Sequence, residues 1–193
     1  MKFVLPEPRH REAAVDMIEE FRRFGSDISG DGGLNSCLKD GTYGAWLDRL
    51  TEDSSRLGDD PADDGRLPAL TYFYVREEDE RIVGMVNIRP VLNDFYRREC
   101  GHIGYCIRPT ERGRGYATML LRDALCFCQM MGLDEVLLCC RDDNPASAAV
   151  IRKCGGKEAG SVVSDAFRCR ILRFSVFTDG AEPDTVPCET DQR

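Results

Sequence analysis

Apolar residues recur at helical spacing through the first part of the chain. Ala13, Ala14, Met17, Ile18, Phe21 and Phe24 form one stripe, which predicts a helix over 8–24. A Gly/Asp/Ser-rich stretch, 25–33, breaks the pattern and reads as a loop. Leu38, Trp46, Leu47 and Leu50 mark a second helical region over 34–57, interrupted near Gly41-Thr42, and an acidic turn follows over 58–65. Leu70–Arg76 is aromatic and β-branched and reads as a strand; Glu77–Glu80 is its hairpin turn and Arg81–Arg89 its partner, ended by Pro90. Asn93–Cys100 reads as a link. Ile103–Ile107 is a short strand stopped by Arg108-Pro109. Ala117, Leu120, Leu121, Ala124, Phe127, Cys128 and Met131 predict a helix closed by Gly132. Val136–Cys140 is an unbroken apolar run, as in a parallel or central strand buried on both faces. Asn144 and Pro145 open a further helix that ends at Gly155, and 157–165 and 168–178 read as two last strands. The order α-α-β-β-β-α-β-α-β-β predicts a mixed α/β (α+β) sandwich with helices on both faces of its sheet. Residues 1–178 read as one domain and 179–193 as a disordered acidic tail.

Composition narrows the partners. The chain has 193 residues, enough for one domain with a sizeable core, and a net charge of −8. That balance argues against nucleic acid, which needs a basic face, and suits a cationic acceptor weakly. No apolar run reaches the length of a membrane span and Pro6 comes too early for a signal-peptide core, so a cytoplasmic location is the expectation. The ten cysteines contain no Cys-x-x-Cys pair, and His10 and His102 lie far apart, so no metal site is expected and the thiols read as reduced and mostly buried.

The informative chemistry lies between the short strand and the long helix. Arg112-Gly113-Arg114-Gly115-Tyr116-Ala117 places two glycines and two cations where the first helical N–H groups have no intrahelical partner. Glycines let such a backbone approach an anion closely, so the loop reads as a phosphate or pyrophosphate cradle, with an ordinary strand–helix turn as the bland alternative. No P-loop string occurs, and a dinucleotide fingerprint fits poorly because Thr118 stands at its third glycine position. Arg112-x-x-Gly115-x-Ala117 resembles the Arg/Gln-x-x-Gly-x-Gly/Ala motif of the GCN5-related N-acetyltransferases, the GNAT family. Asn144 to Gly156 resembles a second family segment, with Asn144, Ser147, Val150, Lys153 and Gly155 at matching positions. Two positions depart: Ile151 stands where the family usually has tyrosine and Gly156 where it usually has phenylalanine. Gly101–Tyr105, Gly-His-Ile-Gly-Tyr, is similar to a strand of some predicted acetyltransferases.

The resemblance implies a largely antiparallel central sheet, acetyl-CoA as co-substrate, and acetyl transfer to a primary amine on a small molecule or peptide. Family dimers make a homodimer an expectation. Ile107, Arg108, Arg112, Gly113, Arg114, Gly115, Tyr116, Ala117, Asn144 and Ser147 are the implied cofactor contacts, with a backbone N–H around Cys106 to Arg108 facing the oxyanion. His102 is the first candidate base, with Glu99 and Asp94 behind it, since an imidazole near pKa ~6.5 suits neutral pH. Tyr105 and Tyr116 are the nearby phenols for a general acid. Asn144 has an equally good reading as a plain helix cap. Because Ile151 replaces the usual acid, a non-catalytic acetyl-CoA sensor is the alternative.

Overall fold

The computed structural model describes residues 1–39, 42–58 and 66–179. The break at Gly41, most of the acidic turn over 58–65 and all but the first residue of the expected tail lie outside the described residues.

Among the described residues seven strands and six helices follow in the order β1 (Lys2–Val4), α1 (Arg11–Arg23), α2 (Leu34–Lys39), α3 (Tyr43–Ser55), β2 (Leu70–Arg76), β3 (Arg81–Ile88), α4 (Asp94–Glu99), β4 (Ile103–Ile107), α5 (Tyr116–Met130), β5 (Glu135–Arg141), α6 (Pro145–Lys153), β6 (Lys157–Ser164) and β7 (Cys169–Phe177). The strands form two antiparallel sheets, β1-β2-β3-β4 and β5-β7-β6. Alternating side chains on β2–β4 divide the core in two. Val83, Val86, Ile103 and Ile107 pack against Leu120, Leu121 and Ala124 of α5 and Ile151 of α6. Phe73, Val75, Ile82, Met85 and Cys106 pack against Met17, Phe21 and Trp46 of α1 and α3. Helices therefore cover both faces.

Three expectations change. β1 is not apparent in the sequence; Phe3 is held by rings 5.7 and 5.3 Å away on Tyr72 and Tyr74 rather than by any alternation of its own. The supposed link 93–100 contains the short helix α4, capped by the Asn93 side chain accepting from Tyr96 N. β5 is not a central or parallel strand but the edge of its sheet, paired antiparallel to β7. Its apolar run alternates between deeply and partly buried residues, because one face packs on the core and its free edge turns to β4. Among the described residues no helix is long and apolar enough to cross a membrane.

Candidate active site

The two sheets meet at one point. Gly101 bridges Leu138, His102 N donates to Leu137 O at 2.8 Å, and Leu137 N donates back to His102 Nδ1 at 2.9 Å. Beyond this joint β4 and β5 part, and both line a cleft of about 1220 Å³. Gly104, Cys106 and Ile107 stand on one wall and Cys139, Cys140 and Arg141 on the other.

Ladder parity decides which backbone groups face the gap. Arg89 N donates to His102 O and Arg108 N to Val83 O, each at 2.8 Å. Pairs with β3 alternate along an antiparallel strand, so His102 O, the backbone groups of 104 and 106, and Arg108 N face β3, while His102 N turns to Leu137 and Arg108 O to Glu111. Ile103, Tyr105 and Ile107 turn theirs to the open edge, and Ile107 O accepts from Arg112 Nε at 3.1 Å. Of the expected oxyanion donors around Cys106 to Arg108, only the Ile107 amide is so placed, joined by that of Tyr105.

At the far end of β4 the chain makes a short 3-10 turn, Pro109–Glu111, and enters α5 through Gly113 (φ 77°) and Gly115 (φ 84°). Space is open where a Cβ on either would stand, and the first amides of α5 have no intrahelical partner. Gly113, Gly115, Tyr116 and Ala117 all line the cleft. Beneath the loop, Glu111 is buried and ion-paired to Arg76 (2.9 Å), Arg81 (2.8 Å) and Arg114 (3.1 Å). Arg114 is otherwise exposed and, unlike its neighbours in the loop, does not line the cleft.

Two of the predicted cofactor arginines serve elsewhere. Arg108 is 2 % exposed and its guanidinium binds Glu20 at 2.7 Å and Asp16 on α1, so it fastens α1 to the turn and does not reach the cleft. Glu20 completes the fastening by accepting from Thr110 N and Oγ1 at 2.9 Å. Arg112 lines the cleft, but its side chain spans from Ile107 O to Ser26 Oγ (3.1 Å) over the Phe21 ring, tying the cradle to the 25–33 loop. That loop roofs the cleft: Gly30 lies so close to β4 that a Cβ there would sit 2.1 Å from Gly104 O.

His102 does not line the cleft. Burial is the largest cause pushing its pKa down, to about 4, and Nδ1 must stay unprotonated to accept from Leu137. It is a piece of the joint, where sequence alone suggests a base. Tyr105 does line the cleft, and its hydroxyl lies 3.1 Å from Ser147 Oγ across the gap. Burial raises its pKa to about 12, so it remains a phenol. Tyr116 turns its hydroxyl to Arg76, 3.5 Å away. Glu99 lines the cleft with Oε2 accepting from Ser164 Oγ, whereas Asp94 does not line it. Asn144 caps α6 by accepting from Ser147 N at 3.1 Å, and both residues line the cleft. Sequence reading missed Arg89, which is buried at the end of the cleft away from the cradle. An arginine at the end of an apolar strand, directly before Pro90, was the available signal.

These features match a known architecture. The sequence profile of the acetyltransferase (GNAT) family matches residues 38–156. The chain belongs to the GNAT family. No curated protein matches it in sequence. The GNAT fold is shared with solved structures of low identity. Mycobacterium smegmatis RimJ in complex with CoA-disulfide is 18% identical, with 92% of this chain and 82% of that chain covered at TM-score 0.67. Ribosomal-protein-S5-alanine acetyltransferase from Vibrio fischeri is 15% identical, with 94% of each chain covered at TM-score 0.65. Spermidine N-acetyltransferase SpeG from Vibrio cholerae, as its F149A mutant, is 17% identical, with 94% and 97% covered at TM-score 0.60. The two departures from the GNAT pattern touch each other here. Ile151 is 1 % exposed in the core, and a Cβ on residue 156 would stand 2.5 Å from its Cγ2.

Proposed function

We propose that this GNAT protein transfers the acetyl group of acetyl-CoA to a primary amine by direct attack within a ternary complex. The observation that carries the reading is the cleft itself: an open, glycine-lined helix start at one end and the unpaired edge of β4 running away from it. Such a helix start suits a pyrophosphate, since amides and macrodipole both favour an anion. The amides of Tyr105 and Ile107 would hold the coenzyme's arm and the developing oxyanion. Backbone donors fixed in a strand need no reorganisation as the charge forms. The smaller part of the catalysis would come from proton transfers and the larger from positioning two substrates in one cleft.

Tyr105 is the general acid in this reading. It remains protonated near neutrality, and it meets Ser147 one helical turn before position 151 on α6, where the family usually carries its tyrosine. A phenol from β4 thus serves the same region of the cleft from the opposite wall. This favours an enzyme over an acetyl-CoA sensor. His102 is not the base, because taking the amine proton on Nδ1 would break the joint between the sheets. Glu99, in the cleft, takes that role directly or through water. The acceptor is an amine, as in the spermidine and ribosomal-protein acetyltransferases of the same fold, and the chain works in the cytoplasm. Acetyl-CoA-dependent thiol release across an amine panel tests the reading. Turnover with any amine supports it; acetyl-CoA binding without turnover of any amine makes the sensor the better reading.

A further inference from the structure

The cleft has a charged end that the transfer chemistry does not use. Arg89 follows β3 and pairs with His102 at the start of β4, while the glycine cradle lies past the end of β4. Five strand residues separate the two, about 17 Å at ~3.3 Å per residue. Arg89 is 9 % exposed and lines the cleft. Its guanidinium donates to Gly101 O at 3.4 Å and to Asn87 Oδ1, and stacks 4.9 Å over the Tyr96 ring. All of these partners are neutral. Among the described residues no carboxylate forms an ion pair with it, whereas the buried Arg108 on the same sheet has two. The contrast is physical: burying a cation without a counter-charge is costly, and such groups are normally paired. Burial pulls the Arg89 pKa down, yet a guanidinium does not give up its proton in a protein, so the charge stays.

The surroundings at this end fit a small organic acid rather than a phosphate-rich ligand. Cys100 and Cys139 flank the guanidinium, and burial raises the pKa of both thiols, so they are neutral. Ile103, Ile171 and Phe167 add apolar wall, and Glu99 stands beside Cys100 in the same lining. One cation is therefore set deep and one carboxylate nearby.

We propose that Arg89 is the carboxylate-binding residue of the acceptor subsite, and that the acceptor is a small amino acid whose carboxylate pairs with Arg89 while its amine faces Glu99 and the β4 edge. This rests on the acetyl-transfer reading for the identity of the second substrate. The fork of Arg89 is partly spent on Asn87 and Gly101, which fixes its plane and leaves donors for one carboxylate. An acceptor with no anion leaves the buried charge as it is. An amino acid neutralises it, so the gain is specific to the acid.

Matched pairs test this: leucine, methionine and phenylalanine against their carboxamides, with β-alanine and γ-aminobutyrate to vary the distance between amine and acid. A charge-assisted hydrogen bond contributes about 1.5–3 kcal/mol, so kcat/KM should favour each acid over its amide by about 10–100-fold. Arg89→Gln should remove that preference and Arg89→Lys should keep part of it, with acetyl-CoA binding confirming that each variant is folded. Amides used as well as acids by the unaltered protein, or a preference unchanged in Arg89→Gln, would overturn the proposal while leaving acetyl transfer intact. If no amine turns over, calorimetry of the same pairs with coenzyme A present still reads the subsite. Acids binding no tighter than amides there would also overturn it.

Discussion

Gly115 holds φ at 84°, a conformation in which a side chain costs roughly 1–2 kcal/mol. Gly115→Ala is expected to fold with a melting temperature lowered by a few degrees and with weakened acetyl-CoA binding; Gly115→Glu, which adds a like charge where the pyrophosphate would lie, should bind none detectably by calorimetry. The single Tyr105 hydroxyl gives a sharper test of chemistry. Tyr105→Phe should lower kcat by ~10²–10⁴-fold, the usual contribution of a positioned acid, and leave acetyl-CoA affinity close to unchanged. A loss under threefold would move the acid to water. Such residues differ in how far sequence exposes them. Gly113 and Gly115 are legible as the turn into α5, because glycines directly before a helical pattern mark a helix start. The place of His102 is not, since it stands just before β4 and the partner that holds its Nδ1, Leu137, comes 35 residues later. Arg108 and Arg114 look alike in the string, and only the fold separates a buried clasp on Glu20 from an exposed cation paired to Glu111.

The joint between β4 and β5 is an element held by few bonds, and one of them titrates. The folded pKa of His102 lies at about 4, below its ordinary value of 6.5, so the unfolded chain binds the extra proton. Stability from this group is therefore complete above pH ~6.5 and lost as pH falls towards 4. Denaturant melts at pH 7 and 4.5 should show the unaltered protein losing about 2 kcal/mol more than His102→Gln, whose amide oxygen can accept from Leu137 at both pH values. His10 also has a lowered pKa, with burial the largest cause, but it is common to both proteins and cancels. The roof loop is a second element with a steric test. Gly30→Ala meets backbone at 2.1 Å and must lift the loop from Gly104, raising KM for the amine more than for acetyl-CoA. Elements with their own periodicity, such as α1, β2 and α5, are legible from sequence to within about three residues. β1 and α4 are not, because a three-residue strand and a six-residue helix are fixed by their neighbours rather than by their own pattern.

At the scale of the whole molecule, ligand binding and stability are one quantity. A ligand that binds only the folded chain stabilises it by about 2.7 kcal/mol at a hundredfold excess over Kd. Acetyl-CoA should raise the melting temperature accordingly and NAD should not; the reverse result would revive the dinucleotide reading that Thr118 already disfavours. The gap between the two sheets adds something more. Because among the described residues β4 and β5 share only the joint at Gly101 and His102, the seven strands form a sheet with a missing rung. An amide-bearing arm laid along the Ile103, Tyr105 and Ile107 edge would act as an eighth strand, closing two half-sheets into one continuous hydrogen-bonded surface. The cofactor would then be a structural member as much as a reactant, and the amides of Tyr105 and Ile107, which face away from β3, are expected to exchange more slowly while the acetyl donor is in place.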